Sequence, residues 1–235
     1  MHEPGDFMNS HDTDRILNEL KVLGDPSSWK LPDGYHQSVG LSILDSIWSM
    51  GVNYVKHVDP VICRYRAFRV GEGADPEKDS ADDLVAVFAR VGGVEGFING
   101  IAENRQRTSA VSGILKADAV LLAAQGIQKL GLITPSDVVR SQDDVENFWL
   151  KIKGQSSGIS FGYFMMLLGQ EGIKPDRMII RFLEKALARK VSTDEAREML
   201  AEVAHKLSLS QIQLDHAIWN YQRGRKILGR KIWRK

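Results

Sequence analysis

The stretch 154-GQSSGISFGYFMMLLGQEGIKPDRMIIRF-182 decides how the rest of the chain is read. A run of small residues opens into an apolar segment, which stops at Gly169. A Gly- and Pro-containing loop then ends in Lys174-Pro175-Asp176-Arg177. Gly154 and Gly158 supply backbone conformations that other residues resist, so the chain is expected to reverse there within a few residues. The spacing predicts a hairpin between two helices, one over 143–152 and one over 160–168. Successive backbone N–H groups at the start of the second helix form an anion site suited to a phosphate, with Ser156, Ser157 and Ser160 adding hydroxyl donors. Asp176, after Pro175 and before the apolar-periodic run 177-RMIIRFLEKALAR-189, stands at a favoured N-cap. The plainer alternative is that the small residues are only a turn and Asp176 only a cap, replaceable by Ser or Asn.

The same punctuation recurs outward from this stretch. Towards the N-terminus, 14-DRILNELKVLG-24 follows Asp12-Thr13 as cap candidates and stops at Gly24-Asp25-Pro26. The run 37-QSVGLSILDSIWSM-50 carries Val39, Leu41, Ile43, Leu44, Ile47 and Trp48, mostly at helical spacing. In 59-DPVICRYRAF-68, Asp59 is the expected cap and Pro60 falls in the first turn, where a missing N–H matters least. A polar loop over 70–80 precedes helices expected over 81–92, 93–103 and 114–131, and Thr134-Pro135-Ser136-Asp137 marks a turn and cap. Further on, 192–207 opens on the capping box Ser192-x-x-Glu195, and Ser210 is the cap of a last helix over 210–224. No segment reads as a strand and none repeats. The expectation is an all-α chain of about ten helices joined by short loops.

The chain has 235 residues, 43% of them apolar and 26% charged, enough for one large domain or two modest ones. A formal net charge of +1 singles out no partner, but the tail 223-RGRKILGRKIWRK-235 holds no acid, a pattern that marks either contact with an anionic polymer or a solvated end. One cysteine, Cys63, excludes disulfides within the chain and sites that need several thiolates. The histidines His36, His57, His205 and His216 show no paired ligand spacing on a helix, so no catalytic metal is expected. The polar N-terminus holds no secretion signal and no apolar run approaches about 18 residues, so an intracellular, cytoplasmic and nucleoid-associated protein with no membrane partner is expected.

A Gly-rich hairpin between helices, a helix, and a Gly/Pro loop ending in Asp at the next helix start resembles the helix-hairpin-helix Gly-Pro-Asp superfamily of DNA glycosylases. These are the endonuclease III-like and alkylpurine-excising base-repair enzymes. The order upstream is similar too: 41-LSILDSIWSMGVNY-54 resembles the helix whose end approaches DNA, and 115-LKADAVLLAAQGIQKLG-131 resembles the Lys-Ala helix that follows. Ile180-Arg181 resembles the hydrophobic-Arg pair after the Asp, and the resemblance spans about residues 37–190. It implies a two-lobed all-α fold with a central helical barrel, a helix-hairpin-helix motif and a cleft between lobes. Residues 1–13 are expected to be disordered, 37–162 to form the central domain ending in the hairpin, and 14–36 with 163–235 the second lobe. Ser160 stands at the family's second hairpin glycine, Gly162 where bifunctional members carry a catalytic lysine, and Tyr163 where Thr is usual. The iron–sulfur cysteines of some members are absent.

What the resemblance implies is a monofunctional glycosylase that flips a damaged or modified base out of double-stranded DNA and hydrolyses its bond to the sugar. Asp176 is the catalytic candidate: a carboxylate beside the sugar stabilises the oxocarbenium-like transition state and activates water. Without a lysine at 162, strand-nicking chemistry is not expected. Gly154, Ser156, Ser157, Gly158, Ser160, Lys153 and Lys174 would hold DNA phosphate, with no cofactor beyond a structural monovalent cation on the hairpin carbonyls. Trp48, Asn53, Tyr54, Phe161 and Tyr163 are the base-pocket or wedge residues, Arg181 supports Asp176, and Arg105 and Arg107 in 104-NRQRTSAVSG-113 grip phosphates. The protein is expected to act as a monomer, in repair or in defence against modified phage DNA. Two other readings stay open: a non-catalytic helix-hairpin-helix DNA-binding protein, and a helical interaction protein.

Overall fold

The computed structural model describes residues 10–32 and 34–232. Its fold is all-α, and among the described residues the only extended pairing is a single antiparallel bridge between Arg107 and Leu115. The chain divides into two compact units, one from residues 34–170 and one from residues 1–33 with 171–235, so it passes between them twice. The boundary at 162/163 read from the sequence falls inside a helix, and the contacts place it at 170/171 instead.

The larger unit is built on α2 (Val39–Trp48), all ten residues of which are buried. A helix that is apolar on every side belongs inside a core, and α2 packs against α4 (Asp59–Gly71), α5 (Ala81–Arg90), α7 (Lys116–Lys129) and α10 (Ile159–Leu167). Its buried hydroxyls are satisfied internally, Ser42 Oγ by Ser38 O and Ser46 Oγ by Ile43 O. Lys116 is 1% exposed, and its Nζ donates to Trp48 O at 2.6 Å and Met50 O at 2.8 Å, closing the carbonyl end of α2. Around this helix run the short α3 (Tyr54–His57), α6 (Gly93–Phe97) with a π-turn over Ile98–Ala102, α8 (Pro135–Arg140) and α9 (Gln142–Trp149). Thr134 caps α8 in a reciprocal box with Asp137, and Ser80 does the same for α5 with Asp83. Asp59 is not the cap of α4: that position falls to Val58, and Asp59 is the first helical residue.

The smaller unit gathers α1 (Ser10–Leu20), α11 (Arg177–Leu187), α12 (Thr193–Lys206) and α13 (Gln211–Ile232) around Ile16, Ile179, Phe182, Leu183, Leu200, Leu214 and Ile218. The expected disorder over 1–13 is corrected at its end, since α1 begins at Ser10 and Asp12 and Thr13 lie within the helix; residues 1–9 are outside the described residues. Ser192 caps α12 in a box with Glu195, and Ser210 Oγ accepts from Gln213 N at 3.0 Å at the start of α13. The basic tail continues α13 as far as Ile232, and residues 233–235 lie outside the described residues.

Candidate functional site

Between α9 and α10 the chain turns on short backbone bonds: Gln155 N donates to Ile152 O at 2.9 Å and Gly158 N to Gln155 O at 3.1 Å. Gly154 (φ +91°) and Gly158 (φ +71°) are both left-handed, the conformation that a Cβ makes costly. At Gly154 a Cβ would also lie 2.4 Å from Thr108 Oγ1. That hydroxyl donates to Lys153 O at 3.0 Å, which brings the loop 104–113 onto the hairpin. Lys153, Ser156 and Ser157 are exposed here, and α10 starts at Gly158 with no side-chain cap.

Ser160 corrects the sequence expectation. It is 2% exposed, its Oγ donates to Gln155 Oε1 at 2.5 Å and accepts from Trp149 Nε1 at 3.0 Å. It locks the hairpin to the core and offers no hydroxyl to a ligand. The arginines of the neighbouring loop are engaged too. Arg105 forms a two-pronged pair with Glu95 at 2.7 and 2.9 Å, and Arg107 donates to Gly113 O at 2.6 and 3.0 Å. The carbonyls of Ile152, Lys153 and Gln155 each accept one protein donor.

In the smaller unit, Asp176 caps α11, its Oδ1 accepting from Met178 N at 2.6 Å and Ile179 N at 3.3 Å. Arg177 and Arg181 are exposed, whereas Lys174 is buried at 8% exposure, which corrects its assignment to a DNA-facing role. Lys174 N donates to Asp215 Oδ1 at 2.8 Å, and Asp176 N donates to Lys174 O at 2.6 Å around Pro175. Asp215, on α13, is 8% exposed. Burial, and after it the negative charge of Asp176, push the Asp215 carboxyl up to about 7 against the pull of the Lys174 N–H and ammonium. Sequence reading missed Asp215. The signal was its place on the buried stripe of α13, three residues before Ile218.

The aromatic candidates divide. Trp48 is fully buried against Phe97, and Phe161 is 7% exposed and meets Trp149 edge-on at 6.1 Å, so both serve as core. Tyr54 and Tyr163 are half-buried and close enough to influence each other electrostatically. The Tyr54 and Tyr35 hydroxyls both donate to Asp45 Oδ2, the latter at 2.9 Å, while Asp45 is 1% exposed on α2. Burial first, and the Asp45 charge second, hold both phenols far above their usual range. This carboxylate–phenol cluster also escaped the sequence, because no local pattern ties Asp45 to tyrosines before and after it. Asn53 is exposed and caps α3, accepting from Lys56 N at 3.0 Å.

Residues 15–223 match the model of a family described as "Domain of unknown function (DUF8548)", so the chain belongs to that family. Neither a curated protein nor a solved structure matches it.

Proposed function

We propose that this member of the DUF8548 family is a monofunctional DNA glycosylase acting on a damaged or modified base, with Asp176 as its catalytic carboxylate. The observation that carries the reading is the setting of that carboxylate. It ends the loop that follows a two-glycine helical hairpin, and a second carboxylate, Asp215, is buried against the same turn. A helix cap needs no such companion. Burying one carboxylate near another opposes folding, and groups perturbed in this way concentrate at functional sites.

In the proposed reaction the extruded nucleotide loses its base when the C1′–N bond breaks, the electron pair leaving with the base. Positive charge then grows on the sugar, and the Asp176 carboxylate stabilises it. The oxygen of a water molecule bonds to C1′, and the proton it gives up passes by way of Asp176 to the departing base. Lys153 and the uncapped N–H groups of α10 are the proposed contacts to backbone phosphate.

The test is mass-spectrometric detection of free base after incubation with alkylated, oxidised, deaminated and virally modified duplex DNA. Base release that disappears in Asp176→Asn while DNA binding persists is the expected result. Salt-dependent DNA binding without release from any of these substrates would instead identify a non-catalytic helix-hairpin-helix protein, and no binding at all a helical interaction protein.

A further inference from the structure

The loop that ends at Asp176 is held to α13 at two points. Gln211 N donates to Glu171 Oε2 at 2.8 Å, and Asp215 Oδ1 accepts from Lys174 N at 2.8 Å. Positions 211 and 215 are one helical turn apart, so one face of α13 grips the loop twice. The two grips differ in kind. Glu171 is exposed, and its bond is an ordinary charge-assisted one. Asp215 is buried, an expensive acceptor for a bond that a neutral asparagine oxygen would make equally well.

Resting on the glycosylase reading, we propose that Asp215 is a positioning residue for Asp176: it fixes the Lys174–Asp176 turn through the Lys174 N–H, and the protonation of its own carboxyl, set against the Asp176 charge, sets the pH range of the site. A negative charge beside a buried carboxyl opposes its ionisation. The raised carboxyl of Asp215 agrees with this. Among the described residues, the charged groups that act on Asp215 are Lys174 and Asp176, both from the loop and cap before α11. Neither α12 nor the Lys21–Leu23 turn, which also pack on α13, contributes one.

The experiment follows the aspartate side-chain carboxyl ¹³C resonances of the full chain from about pH 3 to about pH 9. It compares wild type with Asp215→Asn, Asp176→Asn and Glu171→Gln. One resonance is expected to titrate near neutrality in wild type and to be missing from Asp215→Asn. Its midpoint should fall by at least about half a unit in Asp176→Asn and stay in place in Glu171→Gln. A wild-type chain with no aspartate titrating above about pH 5, or a midpoint unmoved by Asp176→Asn, overturns the pairing. Should Asp215→Asn fail to fold, the Asp176→Asn arm alone decides. In the base-release assay the rate should bend at the same midpoint, and Asp215→Asn should remove the bend. Absent base release beside the expected titration would sink the glycosylase reading and leave the carboxyl pair standing.

Discussion

Asp79, in the unit of residues 34–170, is 3% exposed and is met by Arg69 on both oxygens at 2.8 Å and by the Tyr65 hydroxyl at 2.6 Å. Asp215, in the other unit, is 8% exposed and receives one backbone N–H bond, with a lysine and a second carboxylate close by. Both are buried aspartates, but only the first has a full set of compensating partners. A bidentate guanidinium neutralises a carboxylate and satisfies its lone pairs at once, which is how an ion is kept inside a core. Asp215 lacks that compensation, and its carboxyl is correspondingly pushed up. The contrast separates a carboxylate that holds a fold together from one whose burial needs another explanation.

The comparison can be broken first at Asp79. Arg69→Met leaves that buried carboxylate without its guanidinium and is expected to destabilise the chain by about 3–5 kcal/mol, read by urea unfolding. Next in size is Asp176→Asn. Asparagine caps a helix about as well as aspartate, so stability should move by less than about 0.5 kcal/mol while base release falls about 10²–10³-fold. Full activity in that variant would end the catalytic assignment.

Asp215→Asn sharpens the comparison through pH. The folded-state value is raised from 3.8 to about 7, so between those values the folded chain binds more protons than the unfolded one. Wild-type stability therefore declines as pH rises through that window. The asparagine variant should lack the decline and gain about 4 kcal/mol over wild type between pH 4 and pH 8 in thermal unfolding. A parallel pair of stability curves would show Asp215 to be as well compensated as Asp79. The smallest effect is expected at Gly154→Ala: a left-handed backbone and the approach to Thr108 Oγ1 should lower stability by about 1–2 kcal/mol and weaken DNA retention on a heparin or duplex-DNA column.

What was legible in the sequence was what is local. Thr134-x-x-Asp137 and Ser192-x-x-Glu195 announce helix starts, because a cap and its partner lie three residues apart. Gly154 and Gly158 mark the hairpin because left-handed backbone selects glycine. Asp176 was readable as a cap from Pro175 and the apolar run behind it. What joins distant segments was not legible. Lys174 N and Asp215 lie 41 positions apart, and Thr108 and Lys153 45 apart. Ser160 misled for the same reason: its hydroxyl looks free in a Gly/Ser run, and only packing reveals Trp149 and Gln155 as its partners.

The double passage of the chain between units has a bearing on synthesis at the ribosome. The apolar side of α1, with Ile16 and Leu20, finds its partners in α11 and α12, and Asp12 meets Arg189 across 177 positions. The whole 34–170 unit must emerge between them. Helix α1 therefore waits, its greasy face uncovered, through most of translation, while the unit behind it has every residue it needs to fold. Nascent chains halted before Arg177 should expose α1 to chaperones, and chains released after α13 should not.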